Sequence, residues 1–329
     1  MAPNQVDVST TLVTENSQED INKNLTPNSK SLQPIVWRNV IIFIYLHLSA
    51  LYGLYLVFTE AKILTIIWCN IVRLAAGVGI TAGAHRLWTH RAYKAKWPLR
   101  VILMLLNSAA FQNDIYDWTR DHRVHHKFTD TDADPHNAKR GFFYSHMGWL
   151  LVRKHPEVKK KGATIDMSDV EQDPIVAWQR RYYSILMPVC AFIIPIWVPC
   201  YFWNEKLFVA YHIAVLRYVS VLHSTWLVNS AAHMWGMKPY DKNIGPTDHV
   251  VTSIIAIGEG WHNYHHVFPW DYKTGELHGY ASNLTTGVID FCARLGLAYD
   301  LKTASPEAIK KRAMKTGDGS IYAPSVTDG

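Results

Sequence analysis

The chain carries short histidine clusters whose residue types and spacing are typical of a transition-metal centre. The clusters are His85-x-x-x-x-His90, His122-x-x-His125-His126 and His262-x-x-His265-His266, with Asn229-x-x-x-His233 between the last two. Neutral imidazole is the commonest nitrogen ligand for transition metals and suits both iron and zinc. Histidines grouped in this way predict a polynuclear metal centre.

Helical geometry indicates which of these side chains could meet. Each residue turns an α-helix by roughly 100°, so positions i, i+3 and i+4 share one face. We therefore expect His122, His125 and His126 to converge on one point, and the three histidines of the third cluster to do the same. His85 and His90 lie at i and i+5 and would point roughly 140° apart on an ideal helix. We expect this pair to straddle a helix end or to bracket the metals from two sides.

Besides His223, seven histidines have no clustered partner in the sequence. They are His47, His136, His146, His155, His212, His249 and His278. Because intermediate burial is usual for histidine, we interpret them as ordinary surface or core groups.

The size of the ligand set favours two iron ions over zinc. Zinc sites usually close with four ligands, whereas the clustered histidines and a nearby amide suffice for two ions with positions left open. A di-iron centre can reduce dioxygen to an oxidant that attacks an unactivated C–H bond, which side chains alone cannot do. Ferritin-like di-iron proteins use glutamate ligands, and these clusters lack them. Ligating imidazoles must be neutral, so metal occupancy should fall at low pH.

Long apolar runs predict membrane spans in a chain that is 49% hydrophobic. A helix needs roughly 20 apolar residues to cross a bilayer. The runs cover residues 40–58, 63–84, 185–203 and 207–228. Arg73 and Arg217 fall inside spans, where we expect them to snorkel or to pair with a neighbouring helix.

A fifth apolar stretch, residues 99–111, is interpreted as an interfacial or buried helix because it is too short to cross. If it crossed, the second histidine cluster would lie on the opposite side of the membrane from the others. Basic residues concentrate between positions 86 and 181. By the positive-inside rule, the clusters are expected on the cytosolic side.

The remaining sequence predicts one large domain between two tails. Residues 1–33 are polar and lack the features of a signal peptide, so we expect a disordered cytosolic tail. Residues 34–320 form the domain, with 85–184 and 229–320 cytosolic, and residues 321–329 form a loose tail. The four cysteines have no paired spacing, which predicts reduced thiols. The net charge of +6 lies mainly on the cytosolic face, where it suits anionic lipid, an acidic protein or a phosphorylated substrate.

Extended stretches around the clusters resemble the histidine boxes of membrane acyl-CoA desaturases of the stearoyl-CoA desaturase type, most closely the insect members. They are Gly79-Ile-Thr-Ala-Gly-Ala-His-Arg-Leu-Trp-Thr-His90, Asp121-His-Arg-Val-His-His-Lys127, Asn229-Ser-Ala-Ala-His233 and Gly258-Glu-Gly-Trp-His-Asn-Tyr-His-His266. The similarity extends from about residue 36 to residue 320. It implies an all-α integral membrane protein of the endoplasmic reticulum, with four transmembrane helices capped by a cytosolic helical domain that holds a di-iron centre. Both termini and the active site would be cytosolic.

The resemblance also implies a reaction. Two hydrogens would be removed from a saturated long-chain fatty acyl-CoA to give a cis double bond, while dioxygen is reduced to water at two iron ions that are ferrous at rest. Position Δ9 is expected first, with Δ11 or another pheromone-type position as the alternative. No His-Pro-Gly-Gly haem motif occurs in the sequence, so this chain is expected to carry no haem. Electrons would come from cytochrome b5 and its NADH-dependent reductase. Membrane lipid is an expected partner, and nucleic acid is not.

By position, the resemblance assigns roles to individual residues. The metal ligands would be His85, His90, His122, His125, His126, His233, His262, His265 and His266, with Asn229 bound through a water. Residues matching the substrate-binding set are Asn39, Asn113, Arg120, Asp121, Arg153, Lys154 and Trp226, and those shaping the bend of the acyl tunnel are Gln112, Trp118 and Thr225. Arginine and lysine suit phosphates, although a solvated basic face and core-packing tryptophans are the alternatives. His223 departs from the pattern, because Δ9 relatives tend to carry a smaller polar residue there.

Two further functions remain open at this stage. An acyl hydroxylase or a desaturase of complex lipids could use the same scaffold. A membrane metal transporter would place ligands inside the bilayer and often has repeated halves, whereas the clusters here lie beyond the predicted spans and the sequence has no visible repeat.

Overall fold

The computed structural model describes residues 33–276 and 279–322. The predicted tails lie almost wholly outside this range, as does His278. In chain order, the helices are α1 (Trp37–Thr59), α2 (Ile63–Val78), α3 (Trp97–Ala110), α4 (Ile115–Phe128), α5 (Phe142–His146), α6 (Pro156–Gly162), α7 (Ser168–Glu171), α8 (Pro174–Pro188), α9 (Ile194–Trp203), α10 (Leu207–Asn229), α11 (Ala231–Met234), α12 (Val250–Ile255), α13 (His262–Val267), α14 (Leu284–Arg294) and α15 (Pro306–Thr316). π-Helical segments cover Gly79–Thr89 and Val189–Ile193, and 3₁₀ turns cover Ala138–Arg140 and Gly148–Leu150. Two short strands, β1 (Lys94–Ala95) and β2 (Ala298–Tyr299), pair antiparallel.

Among the described residues, four continuous helical stretches are long and apolar enough to cross a membrane, which confirms the predicted all-α class and the number of spans. They are Trp37–Thr59, Ile63–Thr89, Pro174–Trp203 and Leu207–Met234. All four exceed their predicted bounds, the first by only a few residues. The second continues through the π-helical segment to Thr89, the third begins earlier, at Pro174 of α8, and the fourth continues through α11.

The helix α10 lies at the centre of the four spans. Ile213, Ala214 and Val215 are buried in it, and α1 packs closely along it. A Cβ atom added to Gly53 of α1 would lie 2.4 Å from the carbonyl oxygen of His212. Glycine at this position therefore allows the two backbones to meet.

Arg217, in the middle of α10, bonds to two carbonyl groups of neighbouring segments. Its guanidinium donates to the Ala109 carbonyl at 2.9 Å and to the Ala191 carbonyl. Ala109 lies in the last turn of α3, where helical carbonyls lack partners. Pro195 has no N–H with which to bond the Ala191 carbonyl four residues earlier. The predicted pairing of this arginine with neighbouring helices is confirmed, and its partners are carbonyl groups that helix geometry leaves free.

The fifth apolar stretch forms the 14-residue helix α3, which is too short to be a span. Leu99, Leu103 and Met104 are buried on one face. The π-helical segment approaches α3 very closely, since a Cβ on Gly79 would lie 2.3 Å from the backbone nitrogen of Asn107. This contact fixes the first histidine cluster against the helix that precedes the second.

Two apolar clusters hold the parts outside the spans together. The larger cluster packs the π-helical segment and α3 against α14, with Ile289 at its centre. A smaller cluster packs Tyr264 and Phe268, from α13 and its end, against Ile309 and Ala313 of α15. The C-terminal helices therefore position the third histidine cluster. All four cysteines are free, as predicted.

Candidate metal centre

The nine cluster histidines lie together in two adjacent groups. His85, His90, His122, His126 and His265 form a five-histidine group, and His125, His233, His262 and His266 form a four-histidine group. Within each group, one ring nitrogen from every residue lies within 4.8 Å of the others. The structure thus brings together every histidine predicted to be a ligand.

The second and third clusters each divide between the two groups, so the expectation that each converges on one point is wrong. His122 and His126 share one group, while His125 lies in the other; His262 and His266 likewise separate from His265. On a helix, i and i+4 differ by only about 40°, whereas i+3 and i+4 differ by about 100°. Each cluster therefore offers its i, i+4 pair to one group and its middle histidine to the other.

His85 and His90 lie in the same group. The π-helical segment ends at Thr89, and the His90 N–H donates to the His85 carbonyl at 3.1 Å, an i to i+5 bond. The wider π turn brings residues five apart onto one face. Their ring centroids lie 4.8 Å apart. His85 lies inside the segment and His90 follows its end. The expectation that the pair straddles a helix end is therefore confirmed.

Buried carboxylates orient three of the histidines from behind. His85 Nδ1 lies 2.8 Å from Glu259, His125 Nδ1 lies 3.0 Å from both oxygens of Asp134, and His233 Nδ1 lies 3.4 Å from Asp130. Asp134 accepts the Nδ1–H of His125, which leaves Nε2 as a free lone pair, the form that binds metals. Glu259 and Asp130 lie within ion-pair distance of His85 and His233. The acidic residues near the clusters were the sequence signal for these partners, and the sequence prediction did not use it.

Glu259 also joins the first cluster to the third. It accepts hydrogen bonds from Arg86 at 2.8 and 3.1 Å, and Arg86 donates in turn to the Tyr272 carbonyl and to Thr286. Burial alone would raise the pKa of Glu259, but Arg86 and His85 lower it to about 2. The carboxylate is therefore ionised beside His85 at neutral pH.

The surroundings of five of the rings favour the neutral form that a ligand must have. Burial, reinforced by repulsion between neighbouring imidazoles, holds the pKa of His90, His122, His126, His262 and His266 well below its ordinary value. Nitrogen lone pairs converging without a cation would repel one another.

The nitrogen spacing fits a metal ion in each group. His85, His122 and His126 each place Nε2 between 2.9 and 3.2 Å from a neighbouring Nε2 of the five-histidine group. In the four-histidine group the corresponding separations are 3.1 to 3.2 Å. Ligands about 2.1 Å from an ion and at right angles to one another are about 3.0 Å apart. In addition, His90 Nε2 is buried and lacks a hydrogen-bond partner among the described residues.

His136, interpreted from the sequence as an ordinary histidine, lies beside the four-histidine group. Its ring centroid is 4.6 Å from that of His125, and its Nδ1 is 3.4 Å from Asp134. His136 also borders the cavity described next. Its proline-flanked position in a loop carries no helical periodicity, so spacing could not have identified it.

A cavity of about 440 Å³ borders both histidine groups, with His85 and His122 from one group and His262 from the other in its lining. Its volume lies within the range of about 300 to 1,000 Å³ typical of small-molecule pockets. Lining residues on α10 extend from Tyr218 to Asn229, about 16 Å of helix at 1.5 Å per residue. The cavity therefore reaches from the metal groups deep into the spans.

This cavity is lined by most of the residues that were predicted to bind the substrate or to shape the acyl tunnel. They are Asn39, Asn113, Asp121, Trp226, Gln112, Trp118 and Thr225. The Gln112 side chain donates a hydrogen bond to the Thr225 hydroxyl at 2.9 Å. This contact joins two residues of the cavity lining. Asn229 lines the cavity at the end of α10, consistent in position with a water-mediated role that stays a prediction.

The three predicted basic residues do not line the cavity. Arg120 bonds Asp117 at 2.8 Å and Asp121 at 3.2 Å, and Lys154 also bonds Asp121. Arg153 is exposed. Because Asp121 itself lines the cavity, Arg120 and Lys154 lie at its edge, where a charged group outside the cavity could reach them.

Two of the candidate histidine ligands lie within the helical stretches that could cross the membrane, contrary to the prediction that all ligands lie beyond the spans. His85 belongs to Ile63–Thr89 and His233 to Leu207–Met234. Both lie in the last turns of these stretches, which the apolar runs alone did not include.

The chain is similar to known desaturases over most of its length. Residues 61–281 match the family model described as fatty acid desaturase. The chain is 64% identical over 295 residues to an acyl-CoA Delta-9 desaturase of Acheta domesticus, covering 89% of this chain and 82% of that protein. It is 59% identical over 287 residues to an acyl-CoA Delta12-desaturase of the same species, covering 87% and 80%. It is 52% identical over 314 residues to an acyl-CoA Delta(11) desaturase of Spodoptera littoralis, covering 95% and 93%.

Proposed function

Because this chain belongs to the fatty acid desaturase family, we propose that it desaturates long-chain saturated fatty acyl-CoA, inserting a cis double bond at position Δ9. The observation that carries the proposal is the cavity that descends into the spans and is lined by histidines of both groups. An acyl chain in this cavity would lie beside both metal sites.

The nine histidines would hold two iron ions, five rings around one and four around the other. When bound, the iron pair supplies the oxidising power to break unactivated C–H bonds with dioxygen. Asp134 would hold the ring of His125 in the ligating tautomer, and Glu259 and Asp130 lie behind His85 and His233. Such partners are worth roughly 10- to 100-fold in metal affinity or activity.

The residues around the cavity would bind and place the substrate. Arg120 and Lys154 at the edge suit the phosphates of coenzyme A. The forked guanidinium of arginine and the flexible ammonium of lysine both bind phosphate oxygens. The apolar lining excludes water from the acyl chain. The contact between Gln112 and Thr225 would shape the cavity, and the distance from the edge to the histidines would determine which methylenes react.

The partners follow from the chemistry and from the topology. Dioxygen accepts two electrons from the substrate and two from outside, and we propose cytochrome b5 as their donor, supplied by its NADH-dependent reductase. We propose that the protein lies in the endoplasmic reticulum membrane with the histidine-bearing side in the cytosol. The excess of basic residues between positions 86 and 181 supports this orientation.

Product analysis tests the proposed function. The chain is expressed in a yeast strain that lacks its own desaturase, and the double bond in the new fatty acids is located by mass spectrometry. We expect cis-Δ9 monounsaturated products that disappear with His125→Ala and persist with His155→Ala, a histidine outside both groups. A Δ11 or Δ12 product would correct the position alone. A hydroxylated product, or product formation unaffected by His125→Ala, would overturn the proposal.

A further inference from the structure

Three histidines outside the metal groups form a continuous chain of hydrogen bonds. His47 Nε2 lies 3.2 Å from His223 Nε2, and His223 Nδ1 lies 2.9 Å from His146 Nε2. The chain ends at the Phe43 carbonyl, 2.6 Å from His47 Nδ1, and at the Ser230 hydroxyl, 2.9 Å from His146 Nδ1. It joins α1, α10 and α5.

Proton positions in this chain follow from its carbonyl end. A carbonyl oxygen can only accept, so His47 Nδ1 donates to it and His47 Nε2 must accept. His223 therefore donates from Nε2 and accepts at Nδ1 from His146. His146 Nδ1 is then left to accept, and the single proton of the Ser230 hydroxyl can go either to it or to the Trp226 carbonyl. Three neutral rings satisfy both ring-to-ring contacts and the contact to the Phe43 carbonyl. A side chain without both a donor and an acceptor at position 223 would break the chain at its centre.

The chain supports the wall of the cavity at Trp226. The Trp226 ring packs edge-on against His223, His146 and Phe43, with centroids 5.1, 5.6 and 5.6 Å apart. Trp226 lines the cavity and is only 2% exposed. The Ser230 hydroxyl also lies 2.8 Å from the Trp226 carbonyl. Both the ring and the backbone of this tryptophan therefore contact members of the chain.

The same chain supports a second part of the cavity lining. His146 is the last residue of α5, and Trp149 and Leu150, just after it, line the cavity. The Leu150 carbonyl accepts a hydrogen bond from the Asn39 side chain at 2.8 Å. His146 thus contacts Trp226 on one side. On the other side it precedes the segment Trp149–Leu150, which bonds Asn39 of α1.

We propose that His223, acting with His47 and His146, is a positioning residue that determines which methylene of the acyl chain lies beside the metal groups. His223 does not line the cavity, and it acts by fixing Trp226. This role rests on the proposed desaturase function. Misplacement of a reacting group by about 1 Å can cost on the order of 10²-fold in rate, so a small movement of Trp226 would favour a different carbon.

Substitutions that break the chain test this role through the products. Wild type, His223→Leu and His47→Leu are expressed in yeast lacking its own desaturase, and the positions of the double bonds and the acyl chain lengths are measured. We expect the ratio of positional isomers to change about tenfold or more in both variants, given the steep dependence of rate on placement. In purified enzyme, kcat should fall more than KM rises.

A matched control lies on the same two helices. His212 of α10 bonds Ser49 of α1 at 2.8 Å, but neither residue lines the cavity. His212→Leu removes a similar bond between the helices and should leave the isomer ratio unchanged.

Three outcomes would overturn the positioning role. The first is a wild-type isomer ratio in His223→Leu, and the second is an equal shift in His212→Leu. The third is loss of all product from His223→Leu, His223→Asn and His47→Leu alike, which would indicate a role in folding only. Absence of unsaturated product from the wild type would instead overturn the proposed function on which this role rests.

Discussion

The imidazole rings of His126 and His266 stack with centroids 4.1 Å apart and planes 13° apart, although they belong to different histidine groups. The groups are therefore neighbours in direct contact. Two ions held in these groups would be separated by stacked imidazole rings and would lie close together. This proximity suits a reaction that removes two hydrogens from adjacent carbons.

Removing the carboxylate behind His125 should weaken metal binding. Asp134 is buried and accepts from His125 Nδ1 at 3.0 Å. Asp134→Asn replaces one accepting oxygen by an amide that donates, so the ring would lose its preferred tautomer. We expect metal affinity or activity to fall by about 10- to 100-fold, measured by metal analysis of the purified protein. Asp132→Asn, an exposed neighbour, is the control, and equal metal content in both variants would contradict the prediction.

Arg217 should stabilise the spans through the two carbonyls that it satisfies. Arg217→Met leaves the Ala109 and Ala191 carbonyls buried without this donor, at a cost of about 1–3 kcal/mol for each. The thermal unfolding midpoint in detergent should fall. Adding Pro195→Ala supplies an N–H four residues after Ala191 and should recover part of the loss. A double variant no more stable than Arg217→Met would show that the Ala191 carbonyl is not responsible.

Acid should destabilise the metal-free protein. Burial and neighbouring rings hold the pKa of His122, His126, His262 and His266 well below the ordinary value, so the unfolded chain binds more protons below about pH 6.5. The free energy of unfolding is therefore retained above that pH and falls as the pH decreases through it. The unfolding midpoint at about pH 5.5 should lie below that at about pH 7.5. Identical midpoints would mean that these rings are not buried as neutral groups.

The sequence predicted the parts of the fold that depend on composition and on simple periodicity. The apolar runs were sufficient for four spans, and the stretch that forms α3 is too short to be a span, as predicted. The sequence did not predict the π-helical segment Gly79–Thr89, because its bonds arise from the close packing of Gly79 on α3. The prediction assumed an ideal α-helix, in which the side chains of His85 and His90 point apart. In the structure they lie together.

The candidate site was predicted in its residues but not in its arrangement. Spacing identified all nine histidines, yet the division of the clusters between two groups depends on how α4 and α13 face each other. The long-range partners were also out of reach. His125 meets Asp134 through a loop, and His47 meets His223 across 176 positions of the chain, so no local pattern records either contact.

The metal content of the purified full-length chain, measured together with its activity on a long-chain acyl-CoA, tests the central claim most directly. The two histidine groups predict two iron ions per chain, with iron and unsaturated product both lost in His122→Ala of one group and in His262→Ala of the other. A single zinc ion per chain, or full product formation by a protein without iron, would contradict it.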